Sequence, residues 1–298
     1  MRGAIMRASV LLLVVSATAQ AQTVIRDEEI LTSDRPEAWA MHYVSAASFM
    51  TGFGATPELA AGAWLLAGEL AHVPRLSDAQ QQVGFGGEKA EDLNKSPLFG
   101  RLRASIGLPA GWVAELGYTP PLEIDRTRTQ DLIAAALGRR LIERDAWSLS
   151  ARIFGQHGSA SGDITCPEHV AGPFDAQTNP FGCVEPSRDR IALNHYGADV
   201  TFEAARPHWR WHATLGLVRN EPTAQVNARV FTVIDRSHLV ARGVLPYVAT
   251  GATRGLSPRW SLAAELLHVP LDVRREIDGS VENDAYTALR VRLAWEAR

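Results

Sequence analysis

The chain has 298 residues, 46% of them hydrophobic and 21% charged, and a net charge of -3. A balance so close to neutral gives no electrostatic case for nucleic-acid binding. No apolar run reaches the ~18 residues a membrane helix needs, and the length allows one large β domain or two small ones.

Arg2 and Arg7 precede a short apolar core, Ala8 to Val15, and Ala19-Gln20-Ala21 supplies a small-x-small cleavage pattern. Residues 1–21 therefore read as an export signal cut before Gln22. No Cys follows the core, which argues against a lipoprotein anchor. Residues 22–57 read as a periplasmic or plug segment and 58–298 as the main β domain. Within the former, Ser33 or Asp34 can cap a helix, Pro36 suits its first turn and Glu37 its dipole. Trp39, His42, Tyr43, Ala46 and Ala47 fall at helical spacing, and Gly52 can stop the helix. The rival is an added strand, because Trp39, Met41 and Tyr43 also alternate.

From residue 60 onward a tight turn followed by Trp recurs. It appears at Leu108 to Trp112, Glu143 to Trp147, Arg206 to Trp209 and Ser257 to Trp260, with a looser copy ending at Trp64. Pro, Gly and Asp mark the turns, and period-two runs beside them mark strands. Strands are expected near 60–72, 97–108, 112–122, 130–141, 147–156, 190–204, 209–219, 237–250, 260–270 and 285–296. One face of each is apolar with an aromatic at its end, as in Trp209, Trp211, Ala213, Leu215 and Leu217. The other is polar or small, as in Arg210, His212, Thr214 and Gly216. Adjacent Arg139 and Arg140 break the pattern, so one must face outward, sit at a rim or follow a bulge.

Alternation suits a soluble β-sandwich as well as a barrel. Two features favour an antiparallel transmembrane β-barrel of about ten strands (8–12), with the N-terminal segment as a helical plug or extra strand. Trp recurs beside the short turns, as in an interfacial girdle. Short turns also alternate with long polar loops near 73–96, 157–189, 219–235 and 270–284. The last strand sets Leu289, Val291, Leu293 and Trp295 against Arg290 and Arg292. It resembles the C-terminal signal of bacterial outer-membrane proteins, with Glu296-Ala297-Arg298 as a departure. That resemblance implies outer-membrane location, contact with its lipids, and insertion by the barrel-assembly machinery. An even strand number brings both chain ends to the periplasm.

Parity sends Glu69, Glu115 and Glu265 into the lumen, with Arg101, Arg103, Arg152, Arg210, Arg290 and Arg292. A buried charge without a partner is costly, so these groups are expected to pair. Eight strands leave room only for side chains and wide channels need ~16, so ten strands stand near the closed end.

Cys166 and Cys183 lie in one Pro-, Gly- and Asn-rich stretch. An exported protein favours a disulfide between them; a metal pair with nearby His169 is the weaker alternative. No cofactor signature is present. The catalytic candidates are His157 and Ser159 in Gln156-His157-Gly158-Ser159-Ala160-Ser161-Gly162, extrapolated to the lipid face at the outer rim. His can serve Ser as a base if a third group orients the ring, and Asp163, Glu168 or Asn194 are the candidates. This stretch resembles the His-x-Ser element of outer-membrane phospholipase A and of the lipid A deacylase barrels. In the phospholipase pattern Asn and Gly follow the Ser, whereas Ala160 and Ser161 follow it here. Four readings result: a narrow pore or transport barrel for a small molecule, a structural or surface-interaction barrel, a lipid hydrolase, and a soluble periplasmic β-sheet binding protein.

Overall fold

A computed structural model of the chain describes residues 23–276 and 279–297. The expected export signal lies outside the described residues. Ten strands form the wall: β1 (Trp64–His72), β2 (Leu98–Gly107), β3 (Trp112–Thr119), β4 (Thr127–Arg144), β5 (Trp147–Gly162), β6 (His195–Ala205), β7 (Trp209–Asn220), β8 (Gly243–Gly255), β9 (Trp260–Val269) and β10 (Tyr286–Ala297). Each pairs antiparallel with the next. β10 pairs back onto β1, from Arg290↔Ala71 to Ala297↔Trp64, and closes the barrel.

Closure decides the question that alternation leaves open. In a sandwich the apolar faces would pack on each other. Here they point outward: Leu102 is 56% exposed and Leu215 67%, while Arg101, Arg103, His212 and Thr214 are buried inside. Trp64, Trp112, Trp209, Trp211 and Trp260 are all exposed on the outer surface, and Trp260 stands opposite Trp295. They gather at the end of the short turns, where an aromatic ring bridges apolar and wet surroundings.

The adjacent arginines of β4 are resolved by a bulge. Ser150 pairs with Arg140 but Leu149 with Ile142, so Leu141 is the extra residue. Arg139 turns outward over the Trp112 ring at 5.8 Å, and Arg140 turns inward to donate to the Thr56 carbonyl at 2.8 Å. Two expected strands are also divided. The run at 190–204 splits into Asp189–Ala192, paired with the tip of β5, and β6. The run at 237–250 splits into His238–Ala241 and β8. In both, the first piece extends the wall's own sheet above the closed ladder, from the tip of β5 through Asp189–Ala192, Thr223–Gln225 and His238–Ala241 to Glu28–Leu31.

The N-terminal segment enters from the long-loop end. Thr23–Ile25 pairs parallel with Val233–Asp235, and Glu28–Leu31 with His238–Ala241. Helix α1 (Pro36–Ala46) then descends into the barrel, with Pro at its first turn as anticipated. Residues 47–63 continue through the lumen to Trp64 at the short-turn end. The even strand count brings the start of β1 and the end of β10 to one side, but it does not bring Thr23 there.

Candidate functional site

The interior is the most elaborately bonded part of the molecule. Arg103 meets Glu69 at 2.7 Å and Glu115 at 2.8 Å. Arg152 meets Glu115 at 3.1 Å and Asp199 at 2.9 Å. Glu265 lies 3.3 Å from His212 and 3.7 Å from Arg290, and also bonds Thr51. Tyr247 donates to Asp199 at 2.7 Å. Gly216 makes room for that phenol, because a Cβ there would lie 2.2 Å from the Tyr247 ring.

The arginines also hold the plug by its main chain. Arg101 donates to the Ser48 carbonyl at 2.6 Å, Arg152 to Met50 at 2.5 Å and Arg103 to Thr51 at 2.9 Å. Arg292 donates to Gly52 at 2.9 Å and to Phe53 at 3.3 Å. An extended segment inside a barrel has no ladder partner, yet its buried carbonyls must be satisfied. Wall guanidinium groups satisfy them, at the strength of charge-assisted bonds. Lower down, the Ala55 N–H donates to Glu203 and the Thr56 N–H to Ser150. Arg290 and Arg292 stack over Phe53 at 5.2 and 5.1 Å.

Helix α1 is seated differently. Trp39, Ala40, Tyr43 and Ala46 join Tyr247, Leu267 and Tyr286 in the main apolar cluster. Trp39 donates to the Asp284 carbonyl and Tyr43 to the Pro74 carbonyl. His42 Nδ1 bonds Asn220 at 2.9 Å. Burial pushes the His42 ring down to about 4, so it sits neutral.

Eight of the nine parity-selected charged residues meet in the lumen: Glu69, Glu115, Glu265, Arg101, Arg103, Arg152, Arg290 and Arg292. Arg210 does not join them. It shares their parity but lies exposed at the short-turn rim, one step past the end of the packed interior. Asp199, Glu203, His212, Tyr247 and Gln156 complete the network and went unnamed as site residues. A signal for them existed: six arginines against three glutamates leave an excess of donors that needs further acceptors.

A second bulge lies on β4, opposite Gly158, between the partners of His157 and Ser159. The register shifts between them, and Gly158 there has φ +138°. His157 remains on the outer surface, whereas Ser159 is buried and its Oγ accepts from Arg190 at 2.9 Å. Both nevertheless line one surface pocket with Arg190 and Asn194, because the extra residue lies on β4, where Asp131 and Leu132 together face Gly158. Among the described residues, no hydrogen bond joins His157 to Ser159 or to Asp163, Glu168 or Asn194. Asp163 bonds Lys95, Glu168 bonds Arg126, and Asn194 accepts from the Gly158 N–H.

The long loops form an ordered platform above the wall. Cys166 and Cys183 are joined by a disulfide, with Cα atoms 5.6 Å apart. Both sulfurs are consumed, which removes the alternative of a metal pair with His169. The closed loop docks on the 228–230 strand, where Val184 donates to the Arg229 carbonyl. In the neighbouring loop Lys89 and Glu91 pair at 2.8 Å. Burial outweighs that attraction and pushes the Glu91 carboxyl up to about 8.

The closed ten-stranded wall with an apolar outer face is the architecture of bacterial outer-membrane β-barrels. No protein-family model matches the chain, and no characterised protein matches it in sequence. Solved structures similar to it include the translocator domain of autotransporter NalP from Neisseria meningitidis, with TM-score 0.41, 10% identity, and coverage of 80% of this chain and 89% of that one. The Ralstonia pickettii toluene transporter TbuX has TM-score 0.31, 8% identity and coverage of 80% and 90%. The attachment invasion locus protein Ail of Yersinia pestis has TM-score 0.28, 8% identity and coverage of 80% and 100%. With TM-scores this low, the likeness supports no argument about what the chain does.

Proposed function

We propose that this protein is an exported outer-membrane barrel, sealed by its own N-terminal segment, that anchors a rigid platform at the cell surface for recognition. The observation that carries this reading is the run of plug carbonyls from Ser48 to Phe53 held by Arg101, Arg103, Arg152 and Arg292. A segment bonded at nearly every residue occupies the path an open pore would need. Membrane placement is supported by the exposed apolar band, which far exceeds the patches soluble monomers carry. The Trp girdle and the strand-10 resemblance point the same way, and that strand is where the assembly machinery would engage.

The test has two arms. Cells making the protein are fractionated, and the outer-membrane band is run unheated and heated. A heat-shifted band is expected, and a soluble unshifted band overturns the placement. The purified barrel is then inserted in planar bilayers. Steady closure is expected, and stable ohmic conductance overturns the seal in favour of the narrow-pore reading.

A further inference from the structure

The barrel wall has an opening along one seam. On one edge β2 pairs with β1 all the way up to Leu98. On its other edge pairing with β3 stops at Leu102↔Tyr118, so residues 98–101 have no partner there. The cause is local chemistry. β3 is followed by Pro120 and Pro121, which have no N–H to extend the ladder. The chain then folds back on itself, with Glu123–Ile124 pairing to Thr127–Arg128.

A cavity of about 520 Å³ fills this seam, within the size range of sites for small ligands. Its inner end is lined by Tyr43, Ala47 and Leu193, and its mouth by Leu70, Leu98 and Leu102 on the outer face. Gly68 and Gly100 keep the mouth thin. A Cβ on Gly68 would meet nothing within 4 Å, and one on Gly100 would meet only the Leu70 side chain at 3.5 Å and the Glu69 carbonyl at 3.8 Å.

One polar group in this apolar cavity lacks a counterpart. Arg101 is 2% exposed and borders the cavity. Its Nη2 serves Ser48 and Gln156, but its Nη1 has no hydrogen-bond partner. Among the described residues, no carboxylate lies within ion-pair distance of it. Glu69, its cross-strand neighbour, is engaged by Arg103. Asp92 and Lys95 at the outer edge of the cavity neutralise each other at 2.6 Å. A buried guanidinium without an anion is strongly unfavourable, whereas an anionic oxygen on Nη1 would satisfy both charge and donor.

We propose that this seam is a binding site for a single-chain carboxylate taken laterally from the outer leaflet. Its hydrocarbon tail lies between β2 and β3 and its carboxylate on Arg101. The entry route rests on the membrane placement proposed above. The site differs from the sealed lumen axis, because it opens sideways above the last β2–β3 pair.

The test uses the full-length barrel in phosphatidylcholine bilayer discs, titrated with carboxyl-¹³C palmitate and followed by the carboxyl resonance. Native protein is expected to show a saturable, shifted signal. Gly100→Phe, which fills the mouth, is expected to weaken binding about tenfold or more. Methyl palmitate, which lacks the charge, is expected to compete as poorly. Palmitate that only partitions into lipid, alike with native and Gly100→Phe, overturns the proposal; so does methyl palmitate binding as tightly as palmitate. Each variant is first run unheated and heated. If Gly100→Phe loses the gel shift, Gly68→Leu narrows the same mouth and is read in its place. Native protein without a shift counts against the membrane reading, not the cavity.

Discussion

The two halves of the internal segment are held by different physics. Helix α1 is seated by side-chain volume: Trp39 and Tyr43 lie 5.3 Å apart, and Tyr43 meets Tyr286 edge-on at 5.1 Å. Residues 48–53 are seated through their carbonyls by arginines of the wall. Side chains of the lower run are buried as well, with Phe49 and Met50 in the main apolar cluster and Phe53 under Arg290 and Arg292, so there the carbonyl bonds add to packing. In the upper half packing carries most of the hold, and each lost ring leaves a void.

The largest way to break this comparison is to remove one wall arginine. Arg152→Met would leave Glu115 and Asp199 without their shared cation and cost ~3–5 kcal/mol, read as a lower unfolding midpoint in urea with the barrel in vesicles. An unchanged midpoint would mean that the lower half is held by something other than charge. The outer platform comes next. Replacing both Cys166 and Cys183 with Ser opens a crosslink spanning 17 residues and costs the platform about 3 kcal/mol on the chain-entropy account. The expected readout is protease cleavage between 166 and 183 with the gel shift intact. Tyr43→Phe removes one hydrogen bond to the Pro74 carbonyl while keeping the ring, and should cost only about 1 kcal/mol. A loss as large as that of Arg152→Met would contradict the view that volume seats the helix.

Two titrations separate the plug from the platform. His42 is neutral in the fold, its value lowered from 6.5 to about 4 by burial. Its contribution is present above about 6.5 and is lost as pH falls through about 4. Glu91 runs the other way. With its value raised from 4.5 to about 8, its contribution is fully present below about 4.5 and is lost as pH rises through about 8. His42→Gln should flatten the acid limb of stability against pH, and Glu91→Gln the alkaline limb, each leaving the other unchanged. The smallest effect is expected at Ser159→Ala. Its hydroxyl is engaged by Arg190 and not by His157, so lipid hydrolysis by the purified barrel should stay at background before and after the change. Hydrolysis that disappears with Ser159 would favour the lipid-hydrolase reading.

Much of the wall is legible in the sequence. Period-two alternation is a local property of the backbone, so it assigns each side chain a face wherever a strand is regular. That is why Trp211, Leu215 and Leu217 can be set outside and Arg101, Arg103, Glu115 and Arg290 inside from parity alone. Parity fails where the strand does. The bulge at Leu141 reverses the facing of the residues beyond it, so parity leaves Arg139 and Arg140 ambiguous, and a second bulge at Asp131 and Leu132 does the same toward the upper end of β4. Nothing in residues 22–57 by themselves reveals that Thr23 pairs with Val233, or that carbonyls at 48–53 meet arginines up to 240 positions away in the chain. Those pairings are non-local, and only the closed barrel brings them together. Alternation by itself determined which face of each strand is apolar. Closure decided that this face meets the surroundings instead of another sheet. The same closure left the interior polar, and the chain's own N-terminal segment became the partner that its arginines required.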